Sequence, residues 1–202
     1  LWSSWKRRHP AKVGIGGSET AACDWARGMV ARGHRVRVYT RCGNPKIYNG
    51  VEYLPTAMLD GSSADVVVAW RFPQLIQRVQ APVAFAWAHD TTLLGEVVTG
   101  TKVVALSEWH KTSLLETHAA LKLEDIFVIP SAIRVEDFAD GGTIPRRPHA
   151  AVCMSAHERH LMAFIDVWPR IREQVPDATL DLFYGYDDWK HIPSNAVFAE
   201  QI

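Results

Sequence analysis

The chain has 202 residues, 48% of them hydrophobic and 22% charged, and its formal net charge is zero. This is an ordinary globular composition, long enough for a sizeable core, and it offers no global field to recruit nucleic acid or an anionic membrane. The longest apolar runs, 66–70 and 82–88, are too short to span a bilayer.

No secretory leader is legible, and peripheral membrane contact stays open. The three cysteines, Cys23, Cys42 and Cys153, are odd in number and unclustered. They suggest a reducing, cytoplasmic setting with no disulfide framework and no metal site.

In chain order, residues 2–10 are polar and basic, and Lys6-Arg7-Arg8-His9 reads as a solvated arm or as a contact for an anion. Next comes Gly14-Ile15-Gly16-Gly17-Ser18-Glu19-Thr20. Its glycines permit a tight turn and let a ligand approach main-chain N–H groups. Ser18 is the expected N-cap of a helix, and Glu19 sits where the helix dipole favours negative charge. Ala22, Trp25, Ala26, Met29 and Val30 then recur at helical spacing, and Gly33 supplies the stop. Such a helix start attracts phosphate, carboxylate or sugar oxygens; the plainer alternative is a strand-to-helix turn without a ligand. The loop is not G-x-x-x-x-G-K-[ST], and Gly14-Ile15-Gly16 lacks the third glycine of the dinucleotide fingerprint.

Residues 35–40 alternate as a strand, 41–49 read as turn chemistry, and 51–54 read as a short strand. Residues 57–63 are a loop or weak helix. The apolar runs 66–70 and 82–88 have the character of buried parallel strands, with a short helical stretch, 73–79, between them. The second run ends in His89-Asp90-Thr91-Thr92. Another strand spans 102–106, Ser107 caps a helix from Glu108 to about Ala119, and 126–129 form a strand closed by Pro130-Ser131. Strands alternating with helices, without hairpin signals, predict an α/β fold whose parallel sheet is covered on both faces. Ligands of such sheets bind beyond the carboxyl ends of the strands, where His89, Ser107 and Ser131 fall.

The stretch 139–148, rich in Gly, Pro and charge, reads as a linker between a domain over 1–138 and a second over 149–202. A strand over 150–155 follows. A helical stripe runs from Leu161 to Val175, with Pro169 predicting a kink or break. A last strand spans 180–184.

These motifs resemble, in order, those of the GT-B retaining glycosyltransferases of family 4, group 1. The matching stretches are Gly14 to Ala21, Arg32-Gly33-His34-Arg35-Val36, Ala86-Trp87-Ala88-His89-Asp90, Val104-Ala105-Leu106-Ser107-Glu108-Trp109, and Val128-Ile129-Pro130-Ser131-Ala132-Ile133 with Asp137-Phe138. Met154 to Leu161, Trp168-Pro169-Arg170-Ile171, Val175 to Ala178 and Tyr184-Gly185 resemble the start of that family's second domain.

The resemblance implies two Rossmann-like domains, with the acceptor on the first and a nucleotide-sugar donor on the second. It implies metal-independent transfer of a sugar to a hydroxyl with retention, and no cofactor. It places Gly16 and Gly17 at the donor phosphates, Arg159 on the diphosphate and His89 at the reacting sugar. Glu19 and Ser107 would orient loops or touch the acceptor. For each there is a plain alternative: a hydrogen-bonded strand-end histidine, a helix N-terminal charge, a solvated arginine.

The departures are specific. The asparagine and glycine expected after Pro130 are Ser131 and Ala132, one basic residue near Arg159 is lost, and the following glycine is His160. The late Glu-x7-Glu pair is absent from the second domain; Glu108 and Glu116, and Glu116 and Glu124, share that spacing only in the first. No strand precedes the glycine loop. The expectation is therefore an internal piece of such an enzyme that exposes apolar edges and self-associates through them. A non-catalytic glycan- or partner-binding remnant is the competing reading. A dinucleotide oxidoreductase is disfavoured by the missing glycine and by the absence of an acidic residue closing the strand over 35–40.

Overall fold

The computed structural model describes residues 16–154 and 161–183. The chain divides into two compact units, Trp2–Ile133, and Arg134–Ile202 together with Leu1. The division lies ahead of the stretch 139–148.

The first unit begins with helix α1, Gly17–Ala31, whose N-cap is Gly16. The expectation that Ser18 caps this helix is corrected: Ser18 lies within the first turn and its hydroxyl donates to Glu19 Oε2 at 3.1 Å. Gly33, at φ 89°, closes the other end.

Strands β1 (Arg37–Thr40), β2 (Lys46–Tyr48) and β3 (Val51–Pro55) form a sheet in the order β1-β3-β2. β1 pairs with β3 in parallel and β2 pairs with β3 antiparallel. The β2–β3 hairpin corrects the reading of 41–49 as turn alone. Its signal was Asn49-Gly50, with φ of 49° and 76°, the pair that a two-residue hairpin turn demands. A Cβ on Gly50 would also meet Val30 Cγ1 at 2.7 Å.

Strands β4 (Ser62–Ser63) and β6 (Val79–Gln80) make a minimal parallel pair. The main sheet is parallel, in the order β5-β7-β8-β9: Val66–Trp70, Val83–Trp87, Lys102–Ala105 and Ile126–Val128. Its register explains its packing. Ala69, Ala86, Val103 and Ile126 lie side by side across the strands, all buried. With Ala88 and Ala105 they make a smooth floor of small side chains, and Ile76, Leu93, Leu114 and Leu121 pack against it. Small residues let the overlying elements approach closely. Leu114 belongs to helix α2, Glu108–Thr117, which is capped by Ser107 as the sequence predicts. The opposite face carries Trp70 and Trp87 in register, and Trp25 of α1 meets Trp87 edge-on at 6.3 Å.

Among the described residues, no strand pairs with the outer edge of β1 or of β5. The stretch 73–79 forms a 3-10 helix, Pro73–Arg78.

In the second unit, parallel strands β10 (Ala150–Cys153) and β11 (Thr179–Leu182) flank helix α3, Leu161–Gln174. α3 runs unbroken through Pro169, which corrects the expected break. The stretch 139–148 is exposed and carries no helix or strand. Together the units make a mixed α/β chain of parallel sheets, compatible with Rossmann-like architecture. Among the described residues, no helix is long and apolar enough to cross a membrane.

Candidate functional site

The carboxyl ends of β5 and β7 bring four expected residues into one neighbourhood: Gly16, Gly17, Glu19 and His89. α1 supplies the first three. Its N-cap has no side chain, and among the described residues no side-chain cap hydrogen bond answers the free N–H groups of its first turn. Thr20 Oγ1 donates to the Gly16 carbonyl at 3.1 Å. The Glu19 carboxylate folds back over Gly16, so that a Cβ there would lie 2.3 Å from Oε2. The approach at Gly16 is made by the flexible end of a side chain and not by backbone.

His89 follows β7 on the tryptophan face. Its ring lies 4.7 Å from that of Trp87 and 6.0 Å, edge-on, from that of Trp70. Burial lowers its pKa to about 4, and the Arg71 cation adds to the lowering; Asp90 and Glu19 oppose it. A group held this far below 6.5 is a neutral imidazole at pH 7. His89 Nε2 and Trp87 Nε1 are both buried with no hydrogen-bond partner among the described residues. Such groups are rare in folded proteins.

Sequence reasoning missed Arg71. It directly follows β5 at φ 67°, a left-handed conformation rare for a residue with a side chain. Its Nη2 donates to Ser18 Oγ at 3.1 Å. Its Nε lies 3.2 Å from Asp90 Oδ2. That contact is close enough for an ion pair but lies outside hydrogen-bond geometry, since the same Nε is buried without a hydrogen-bond acceptor. We therefore read the contact as electrostatic. No motif marked Arg71; the only legible signal was a charged residue ending an apolar run.

The backbone after His89 is fixed from α2. His110, only 5% exposed, contacts the Asp90 carbonyl through Nε2 at 2.8 Å and accepts from the Leu106 N–H through Nδ1 at 3.2 Å. This pairing makes it the Nε2–H tautomer. Ser113 Oγ donates to the Thr91 carbonyl at 3.4 Å, and His118 Nε2 accepts from the Leu93 N–H at 3.0 Å. The loop from 88 to 101 has no regular structure, yet is pinned at successive residues. Loops of this length without secondary structure are uncommon in compact domains.

Ser107 is committed to capping α2, accepting from the His110 N–H at 3.1 Å. Ser131 is exposed beyond β9. Arg159, Tyr184, Gly14 and Ile15 lie outside the described residues. Among the described residues, no three His, Cys, Asp or Glu side chains are grouped to hold a metal ion. Comparison with protein-family models, with curated proteins and with solved structures gave no match.

Proposed function

We propose that this chain carries the acceptor-side domain of a GT-B-type glycosyltransferase, with the beginning of its donor-side domain. The transfer moves a sugar from a nucleoside-diphosphate sugar to a hydroxyl, with retention. The bond from anomeric carbon to phosphate oxygen breaks, the bond to the acceptor oxygen forms, and the acceptor proton leaves with the diphosphate. The observation that carries the reading is the meeting of a neutral His89 with the uncapped start of α1 at the carboxyl ends of parallel strands. It joins the ordered motifs that resemble that family.

The division of labour follows from charge. The amides of the first turn of α1 answer the growing negative charge of the leaving diphosphate, as donors preorganised for a transition state do. His89, neutral, offers a hydrogen bond to a sugar hydroxyl and adds no cation next to a centre of oxocarbenium character. Glu19 lies over Gly16 and orients the loop or meets the acceptor.

The test is a tryptophan-fluorescence titration of the chain with UDP, GDP and ADP, followed by the matching nucleotide sugars. Trp87 lies against His89 and reports on the site. Saturable binding of one nucleotide, with release of diphosphate from its sugar when an acceptor is supplied, is the expected result. A folded chain that binds none of the three contradicts the reading and leaves a non-catalytic binding module.

A further inference from the structure

We infer that Arg71 is a positioning residue: a strut that ties the first turn of α1 to the His89–Asp90 corner and sets the surroundings of the imidazole. Arg71 follows Trp70, the last residue of β5. Alternation along a strand would send its side chain to the face of Ala69, under the small-residue floor. The left-handed φ of 67° breaks the alternation. The guanidinium lies instead over the Trp70 ring, 5.0 Å from its centroid, on the face where α1 packs. There it reaches Ser18 Oγ and stands beside Asp90.

The backbone is held in this conformation from both sides. The Arg71 N–H donates to the Trp87 carbonyl at 3.0 Å, and its carbonyl accepts from the Leu94 N–H at 3.1 Å. A turn that needed only this φ would be served without strain by glycine. The guanidinium is what glycine cannot supply, and it links α1, β5 and the corner after β7 through one side chain. A left-handed φ at a residue with a side chain persists only where the surrounding structure holds it, as these two hydrogen bonds do. The charged and titratable groups around His89 are Arg71, Asp90, Glu19 and His110. Of these, Arg71 is the cation that disfavours a second positive charge, and it stands within ion-pair distance of Asp90, which favours one.

The inference rests on reading His89 as the group at the reacting sugar, but its test does not use the reaction. Arg71→Gly and Arg71→Lys are made in the full chain, and the His89 ring is titrated by NMR beside a thermal melt. Arg71→Gly removes strut and strain together, so the chain stays folded with a melting midpoint close to the parent's. The His89 midpoint rises by about one pH unit as the cation leaves and Asp90 is freed. Arg71→Lys restores most of the low midpoint. A His89 midpoint that does not move in Arg71→Gly overturns the inference, as does a lysine variant that shifts it as far as glycine does. Should the glycine variant fail to fold, Arg71→Asn, which tolerates the left-handed region, takes its place. Nucleotide binding by the unaltered chain tests the sugar-transfer reading separately, so the two failures are told apart.

Discussion

α1 and α2 start on the same edge of the first unit, and their first turns are built in opposite ways. α2 closes its own start: Ser107 accepts from the His110 N–H, and the buried His110 ring ties that turn to the Asp90 carbonyl. α1 leaves its start open: Gly16 caps without a side chain, Glu19 folds over the backbone, and a strained arginine arrives from another strand. The first arrangement gives the His110 N–H, the Leu106 N–H and the Asp90 carbonyl partners and serves stability. The second spends backbone comfort without completing its own hydrogen bonds. A difference of this kind between two helix starts separates scaffold from site more sharply than either motif does alone.

The largest effect belongs at the α2 start. His110→Ala strands the Leu106 N–H and the Asp90 carbonyl in a buried setting, and should lower unfolding free energy by on the order of 3 kcal/mol in urea titrations. An equal loss from a change at the α1 start would erase the distinction.

Next in size is a pH effect at the open end. The His89 pKa is lowered to about 4, first by burial and then by Arg71. The unfolded chain takes up a proton near pH 6.5, where the folded one does not. Stability is therefore full above about pH 6.5 and falls as pH drops toward 4, by on the order of 2 kcal/mol after allowance for partial exposure. Denaturation midpoints measured across that window should slope accordingly, and His89→Gln should flatten the slope. A slope left intact in His89→Gln would mean that the neutral imidazole is not where the proton linkage lies.

Ser107→Ala removes one cap and should cost about 1 kcal/mol of stability, with nucleotide binding unchanged. The smallest stability effect is expected of Gly16→Ala. Its Cβ meets only the end of the Glu19 side chain, which can swing aside, so unfolding free energy shifts by about 0.5 kcal/mol or less. Nucleotide binding should nevertheless weaken, because the carboxylate and the loop lose their arrangement. Paired melts and fluorescence titrations on these two variants place them on opposite sides of the comparison.

Much of this was legible in the sequence for a physical reason. Parallel strands read as continuous apolar runs, so 66–70 and 82–88 announced β5 and β7, although only Ala69 and Ala86 of the two strands are buried and Val66 and Val83 are exposed; a serine before a polar turn announced the α2 cap. Four things were hidden. The β2–β3 hairpin hid behind turn residues although Asn49-Gly50 named its turn. Gly16 took the cap position because Ser18 was engaged elsewhere, by Glu19 and by an arginine distant in sequence. Arg71 was hidden because a left-handed φ at a non-glycine residue comes from tertiary hydrogen bonds that no local pattern encodes. α3 likewise keeps its helix through Pro169, where propensity alone predicts a break.

If the open start of α1 and the neutral His89 form one ligand site, as proposed, a single ligand must perturb both. An amide and histidine-ring NMR titration of the chain with UDP-, GDP- and ADP-sugars decides this. One of them should shift the Gly16, Gly17 and Glu19 amides and the His89 ring together, along one saturation curve, while Ser107 and His110 stay still. Shifts confined to the α2 start, or none at all in a folded chain, would contradict it.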